Sequence, residues 1–368
     1  MKFNKISKKL AACSLAGVMM VSMMGMSVCA AGGVTGGTEA SPITSVPVNK
    51  TVSAAENTYT PNTTFNFTVT PAGATTITDK EGNSVDVKAG IANGLKADKG
   101  ATFAPDTTAD TSATYTPLVA NKASLKTDAS VFTEPGIYHY TVSEVNGGYE
   151  GITYDTTIYD VYVYVSAKLD ADKNTTNDMY VSGVVSAKSV DGETAKSDLD
   201  FKNEYDGVHK VTVIKKVQGG FATVSDTFKF EVTVNGSTEG EAYKVVYTTK
   251  GEQINTHVVS GEKIDVTLGK DDTVTIYGLS ENDSYIITEK DVTNGKTATG
   301  YTVTDTCGDN DGKVEGMGGT TDASYTITNT KEAVAPTGIA MTVAPYILMV
   351  AVAGIFAILF LRRRHEEA

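Results

Sequence analysis

Tyr159-Asp160-Val161-Tyr162-Val163-Tyr164-Val165 alternates in the manner of a half-buried strand, with apolar residues recurring every second position. The same alternation marks Phe65-Asn66-Phe67-Thr68-Val69 and Tyr138-His139-Tyr140-Thr141-Val142. Turn residues separate these runs, as in Thr133-Glu134-Pro135-Gly136 and Val145-Asn146-Gly147-Gly148. Tyr is plentiful (18) and Trp absent, with frequent Thr and Val, a bias toward strands. No helix-period stretch of useful length occurs outside the two hydrophobic ends. Many short strands set off by turns predict an all-β chain built from immunoglobulin-like sandwiches. Only the polar stretch from Gly73 to Pro117 reads weakly, as long loops over the sandwich or a short helix.

A second strand-rich unit begins near Val208, with Tyr205-Asp206-Gly207 as the expected joint. It contains Val211-Thr212-Val213-Ile214, Phe228-Lys229-Phe230-Glu231-Val232-Thr233-Val234 and Asp272-Thr273-Val274-Thr275-Ile276-Tyr277, and closes on Ser324-Tyr325-Thr326-Ile327-Thr328-Asn329. The expected domains are therefore 46–206 and 207–332, a length that suits two. The units are weak internal repeats. Each opens on a strand with Lys (Lys50; Lys215 or its neighbour Lys216), continues to a strand ending in Glu (Glu144; Glu289) and closes on a strand with Asn (Asn203; Asn329).

Such a trio has a chemistry if it meets in a core. A buried lysine resists its charge and becomes a neutral, nucleophilic amine. A buried carboxyl stays protonated, and can polarise the Asn side-chain carbonyl through a hydrogen bond. Attack of the amine on Asn Cγ, with the Glu shuttling protons, releases ammonia and leaves a Lys–Asn isopeptide bond without any cofactor. Lysines and glutamates solvated on strand surfaces are the ordinary alternative; the parallel order of two trios favours the chemical one.

The ends of the chain carry processing signals. Residues 1–30 read as a secretory signal peptide: Lys2, Lys5, Lys8 and Lys9, then apolar Leu10 to Met26, then Val28-Cys29-Ala30. Leu10-Ala11-Ala12-Cys13 has a lipobox look, but the apolar core follows Cys13 instead of preceding it. Residues 31–45, rich in Gly, Thr and Ala, read as a flexible lead-in. Of three cysteines only Cys307 remains in the mature chain, so no intramolecular disulfide is possible, notable for an exported protein. At the other end, residues 333–368 hold Val334-Ala335-Pro336-Thr337-Gly338, an uncharged run from Ile339 to Leu361 long enough to cross a bilayer, and Arg362-Arg363-Arg364. This arrangement resembles a Gram-positive cell-wall sorting signal, although Val334 and Ala335 precede Pro336 where Leu directly before Pro is usual. The resemblance implies that a membrane sortase cleaves between Thr337 and Gly338 and passes the threonyl carbonyl to an amine.

Other chemistries find little support. A net charge of −13 argues against nucleic acid as a partner. Asp170, Asp172 and Asn174 begin like a calcium loop, but Thr175 stands where Gly is needed; Asp309, Asp311 and Gly312 match only in part. Both read as polar turns. The four histidines are scattered, no phosphate loop or Ser-His-Asp pattern stands out, and no metal site is expected. Cys307 sits in an acidic, Gly-rich loop that does not activate a thiol.

Around the trios, Pro135 to Glu144, Gly151-Ile152-Thr153-Tyr154-Asp155-Thr156-Thr157, Phe201-Lys202-Asn203, Val213-Ile214-Lys215-Lys216-Val217, Thr288-Glu289 and Thr328-Asn329 resemble the streptococcal T-antigen backbone pilins. The resemblance runs from Val46 to Glu332. It implies two immunoglobulin-like domains with bonds Lys50–Asn203 and Lys215–Asn329, promoted by Glu144 and Glu289. It also implies a covalent head-to-tail polymer of identical subunits, anchored to peptidoglycan by sortase, with tip or base pilins as possible partners. The acceptor for the neighbouring subunit's Thr337 lies seven positions before the first-domain Asn in that family, which is Lys196 here; Lys188 and Lys202 are nearby alternatives. Lys196 follows the polar loop Asp191-Gly192-Glu193-Thr194, so it is expected to be exposed. The other reading is a monomeric, wall-anchored adhesin binding a host or matrix ligand, which needs no acceptor lysine.

Overall fold

Alternating burial along Ser45–Ala54 places Val46, Val48, Lys50, Val52 and Ala54 on one buried face, and this strand anchors the first domain. A computed structural model describes residues 33–79, 81–108, 118–190, 193–333 and 337–366. Among the described residues, the first domain packs an eight-stranded sheet on a five-stranded one. The larger contains Gly136–Glu144, Ile158–Leu169 and Thr175–Val190 as antiparallel neighbours. The smaller sets Ser45–Ala54 between Leu118–Thr127, antiparallel, and Asp200–Tyr205, parallel. Val48, Val52, Tyr140, Tyr159 and Phe201 fill the space between.

The second domain repeats the plan. His209–Gln218 lies between Thr273–Leu279, antiparallel, and Ala323–Thr330, parallel. A four-stranded sheet centred on Phe228–Asn235 and Ser284–Glu289 faces it. Its core is separate, built on Val211, Val213, Phe230, Ile276, Ile287 and Ile327.

Three expectations are corrected. The polar stretch after Gly73 is not chiefly loop: Thr75–Thr78, Ser84–Ala89, Leu95–Lys99 and Ala101–Phe103 are strands. Asp79 closes the first hairpin by accepting the backbone N–H groups of Glu81 and Asn83. Ile77 and Val87 of that hairpin cover Tyr162, Tyr164 and Val185, so Ile158–Leu169 is buried on both faces rather than one. The lead-in is not free chain either: Val34–Gly36 pairs with Thr175–Val190, and Ile43 is buried in the first core.

The domains meet through polar contacts. The Tyr149 and Tyr243 hydroxyls both donate to Glu241, at 2.5 and 2.8 Å. Lys244 Nζ donates to Asn57 Oδ1 at 2.9 Å, and the backbone N–H and side chain of Asn282 donate to Glu150 at 2.7 and 2.8 Å. Burial, then the nearby Asp283 charge, pushes the Glu241 carboxyl above the ordinary carboxylate range.

The expected signal peptide, 1–30, and Val334, Ala335 and Pro336 lie outside the described residues. A helix spans Thr337–Glu366 with Pro345 inside it; nothing is described of its side chains from 337 to 344, including Thr337 and Gly338. Among the described residues no helix is long and apolar enough to cross a membrane.

Candidate functional sites: two buried Lys–Glu–Asn clusters

The parallel pairing of an early strand with the last brings lysine and asparagine together the same way in both domains. Lys50 lies opposite Phe201, and Asn203 is two positions further along the same face. Lys215 lies opposite Ile327, and Asn329 is again two positions further. The glutamates come from the facing sheets, at the ends of Gly136–Glu144 and Ser284–Glu289. Between the adjacent lysines the register decides. Lys215 points into the core between Val213 and Val217, whereas Lys216 faces solvent and pairs with Asp271 at 2.6 Å.

In the first cluster Lys50 Nζ lies 2.8 and 2.9 Å from the two Glu144 oxygens, and both side chains are fully buried. Asn203 Nδ2 donates to Glu144 Oε1 at 3.0 Å, and Asn203 Oδ1 accepts the Asp155 backbone N–H at 2.8 Å. In the second cluster Lys215 Nζ lies 2.8 Å from Glu289 Oε2, again with both side chains fully buried. Asn329 Nδ2 donates to Glu289 Oε1 at 2.5 Å, and Asn329 Oδ1 is buried with no hydrogen-bond partner. One expectation changes here: each glutamate faces the asparagine nitrogen and not its carbonyl oxygen.

Aromatic rings line both lysines. Phe65 lies 4.7 Å from Lys50 Nζ; Phe228 and Phe230 lie 4.6 and 5.6 Å from Lys215 Nζ. Desolvation lowers the Lys50 pKa despite the attraction of Glu144, and lowers that of Lys215 to about 8 despite Glu289. Desolvation raises the Glu144 carboxyl despite its hydrogen bonds from Lys50 and Asn203. Burial thus weakens the hold of both lysines on their protons and, in the first cluster, strengthens that of Glu144.

Sequence reasoning did not assign the three phenylalanines or Asp155 a role. The rings could have been found, since Phe65, Phe228 and Phe230 sit at core positions of alternating strands. The Asp155 contact is made by a backbone group and has no signature in residue type.

Lys196 ends the strand Glu193–Lys196, opposite Ala187. It is half-buried and not fully exposed, and burial lowers its pKa. The half-calcium loops are turns. Asp170 accepts the N–H groups of Asp172 and Asn174, and Asp305 those of Gly308 and Asp311. Among the described residues no cluster of His, Cys, Asp or Glu could hold a metal. Cys307 is exposed, and its thiol is pushed up by burial and then by neighbouring acids.

Comparison with known proteins agrees with this architecture. Residues 46–206 match the Spy0128-like isopeptide containing domain, and residues 209–331 match a domain of unknown function. A pilin of Streptococcus pyogenes serotype M1 is 30% identical over 329 residues, covering 84% of this chain and 87% of that protein. The major pilin T-13 of S. pyogenes is similar at a TM-score of 0.51 and 25% identity, covering 82% of this chain and 99% of that one. The major pilin T3.2 of S. pyogenes shares the fold at a TM-score of 0.54 and 21% identity, covering 81% and 99%. With two tandem sandwiches, each holding a lysine and an asparagine on adjacent parallel strands, the chain belongs to the T-antigen-like backbone pilins, the shaft subunits of Gram-positive surface pili.

Proposed function

We propose that each cluster closes itself into a Lys–Asn bond, that sortase then links the domains of successive subunits, and that the finished shaft is joined to peptidoglycan. The observation that carries the first step is the repeated geometry: in both domains a desolvated lysine and an asparagine amide are held by one buried glutamate. The proton on Lys Nζ passes to the glutamate. The neutral amine adds to Asn Cγ, the glutamate gives its proton to Nδ2 and takes the second proton from Lys Nζ, and the C–N bond to Nδ2 breaks to release ammonia. No oxidant, metal or cofactor enters the balance, and the chain acts only on itself. Each bond ties an early strand to the last, so tension along the shaft runs through the link and spares the strands between. This substitutes for the disulfide that the single mature cysteine cannot make.

In polymerisation, Thr337 is the carbonyl donor and Lys196 the acceptor, producing an open head-to-tail filament. The lowered pKa of Lys196 supports its use as a nucleophile. Intact mass tests the first step: the mature wild-type chain should be lighter by one ammonia per bond, and an unmodified mass would refute it. A denaturing gel of wall extracts tests the second. Wild type should form a covalent ladder that Lys196→Ala abolishes while keeping both internal bonds. A ladder unchanged in that variant would place the acceptor elsewhere, and a single wild-type band would favour the adhesin reading.

A further inference from the structure

We propose that the Asp155 backbone N–H is the oxyanion donor for the Lys50–Asn203 bond, held in place by the Asp155 side chain, and that the second cluster works without an equivalent. The inference rests on the bond formation proposed above. When the lysine amine adds to Asn Cγ, the amide oxygen becomes an alkoxide inside a dry core. A fixed N–H aimed at that oxygen stabilises the transition state more than the starting amide. In the first domain Asn203 Oδ1 already accepts the Asp155 N–H at 2.8 Å.

The donor is available because the chain leaves the sheet just before it. Ile152–Thr153 pairs with the asparagine strand at Ile152–Tyr205 and Thr153–Glu204, and the ladder stops there. Asp155 then holds the departing segment with its side chain. Oδ2 accepts the Lys202 N–H at 2.8 Å and Oδ1 accepts the Thr157 N–H at 2.8 Å. Burial opposes the charge on this carboxyl, yet the hydrogen bonds from Thr157 and Lys202 keep its pKa below the ordinary value. One residue thus ties the donor loop to the strand that carries Asn203.

The second domain is built differently at the same place. Thr302–Asp305 continues its ladder past the asparagine, pairing Val303 with Asn329, Thr304 with Thr328 and Asp305 with Ile327. The Val303 N–H is bonded to Gly295 O at 2.8 Å. Asn329 Oδ1 is left buried without a donor.

The test follows both cross-linked peptides with time in full-length chain made by a short cell-free synthesis pulse. In one sample, codon suppression places the α-hydroxy analogue of aspartate at position 155. This exchanges the N–H for an ester oxygen and retains the carboxylate. The Lys50–Asn203 bond should then form about 10²–10³-fold more slowly, the usual effect of losing one such donor. The Lys215–Asn329 bond in the same molecules should keep its wild-type rate and serves as the control. Asp155→Ala, which keeps the N–H and loses the clamp, should slow the first bond by a smaller factor. A first bond that forms at the wild-type rate in the ester chain overturns the inference. Absence of both bonds from the wild-type chain would instead refute the proposed bond formation itself.

Discussion

The two domains solve one problem with unequal means. Each buries a lysine, a glutamate and an asparagine, and each places the asparagine two positions beyond the lysine's partner on a parallel strand. The first surrounds its trio with a further acid and a backbone donor, both from Asp155. The second offers two phenylalanine rings and leaves an amide oxygen unpaired. On the proposed bond formation, the difference makes the dry trio the common minimum and the loop beside the last strand the part that varies. Opposite Asn329 the Val303 N–H is taken by Gly295 O, whereas the ladder that stops in the first domain leaves the Asp155 N–H for Asn203 Oδ1.

The largest effect that could break this comparison comes from removing the glutamates. Glu144→Ala and Glu289→Ala should each restore the mass of one ammonia and lose the closure of nearly a whole domain, worth roughly 5 kcal/mol by analogy with a disulfide. Each also leaves a buried lysine without its partner, a further cost of about 3–5 kcal/mol. Denaturant unfolding should show the greater loss for Glu289→Ala, since Lys50 retains the attraction of Asp155. Equal losses would show that Asp155 does nothing for the first cluster's charge.

A pH series sharpens the contrast. In Asn329→Ala the second bond cannot form, and Lys215 keeps its lowered pKa of about 8 against the ordinary lysine value of 10.5. Between these values the unfolded chain binds the proton and the folded chain does not, so stability rises with pH through the window. The burial penalty is fully present below about 8. Against a Lys215→Met, Asn329→Ala reference, the gain from pH 8 to 10.5 should be on the order of 3 kcal/mol. A flat difference would mean that the lysine is charged in the fold throughout.

The smallest effect concerns the joint. Tyr149→Phe removes one of two hydroxyls that satisfy the buried Glu241. It should cost about 1–2 kcal/mol and separate the unfolding of the two domains in calorimetry. An unchanged single transition would show that the remaining contacts, Lys244 to Asn57 and Asn282 to Glu150, couple the domains by themselves.

Much of this was legible in the chain itself. Alternation fixes which residues share a strand face, so Lys50 between Val48 and Val52, and Lys215 between Val213 and Val217, already stand on buried faces by parity alone. The same parity separates Lys215 from Lys216 once the core side of that strand is known. The order Lys, Glu, Asn, repeated, pointed to the bond formation proposed above, because a desolvated amine can displace ammonia from an amide beside a carboxyl that carries protons. Tertiary structure decided what depends on residues far apart in the chain. It set the parallel register that brings Asn203 and Asn329 to their lysines, and it covered the outer face of Ile158–Leu169 with a polar-looking hairpin. It also half-buried Lys196 and turned the Asp155 N–H toward an amide oxygen. Side-chain pattern is written residue by residue, but register, coverage and the direction of a backbone N–H exist only where two distant segments meet.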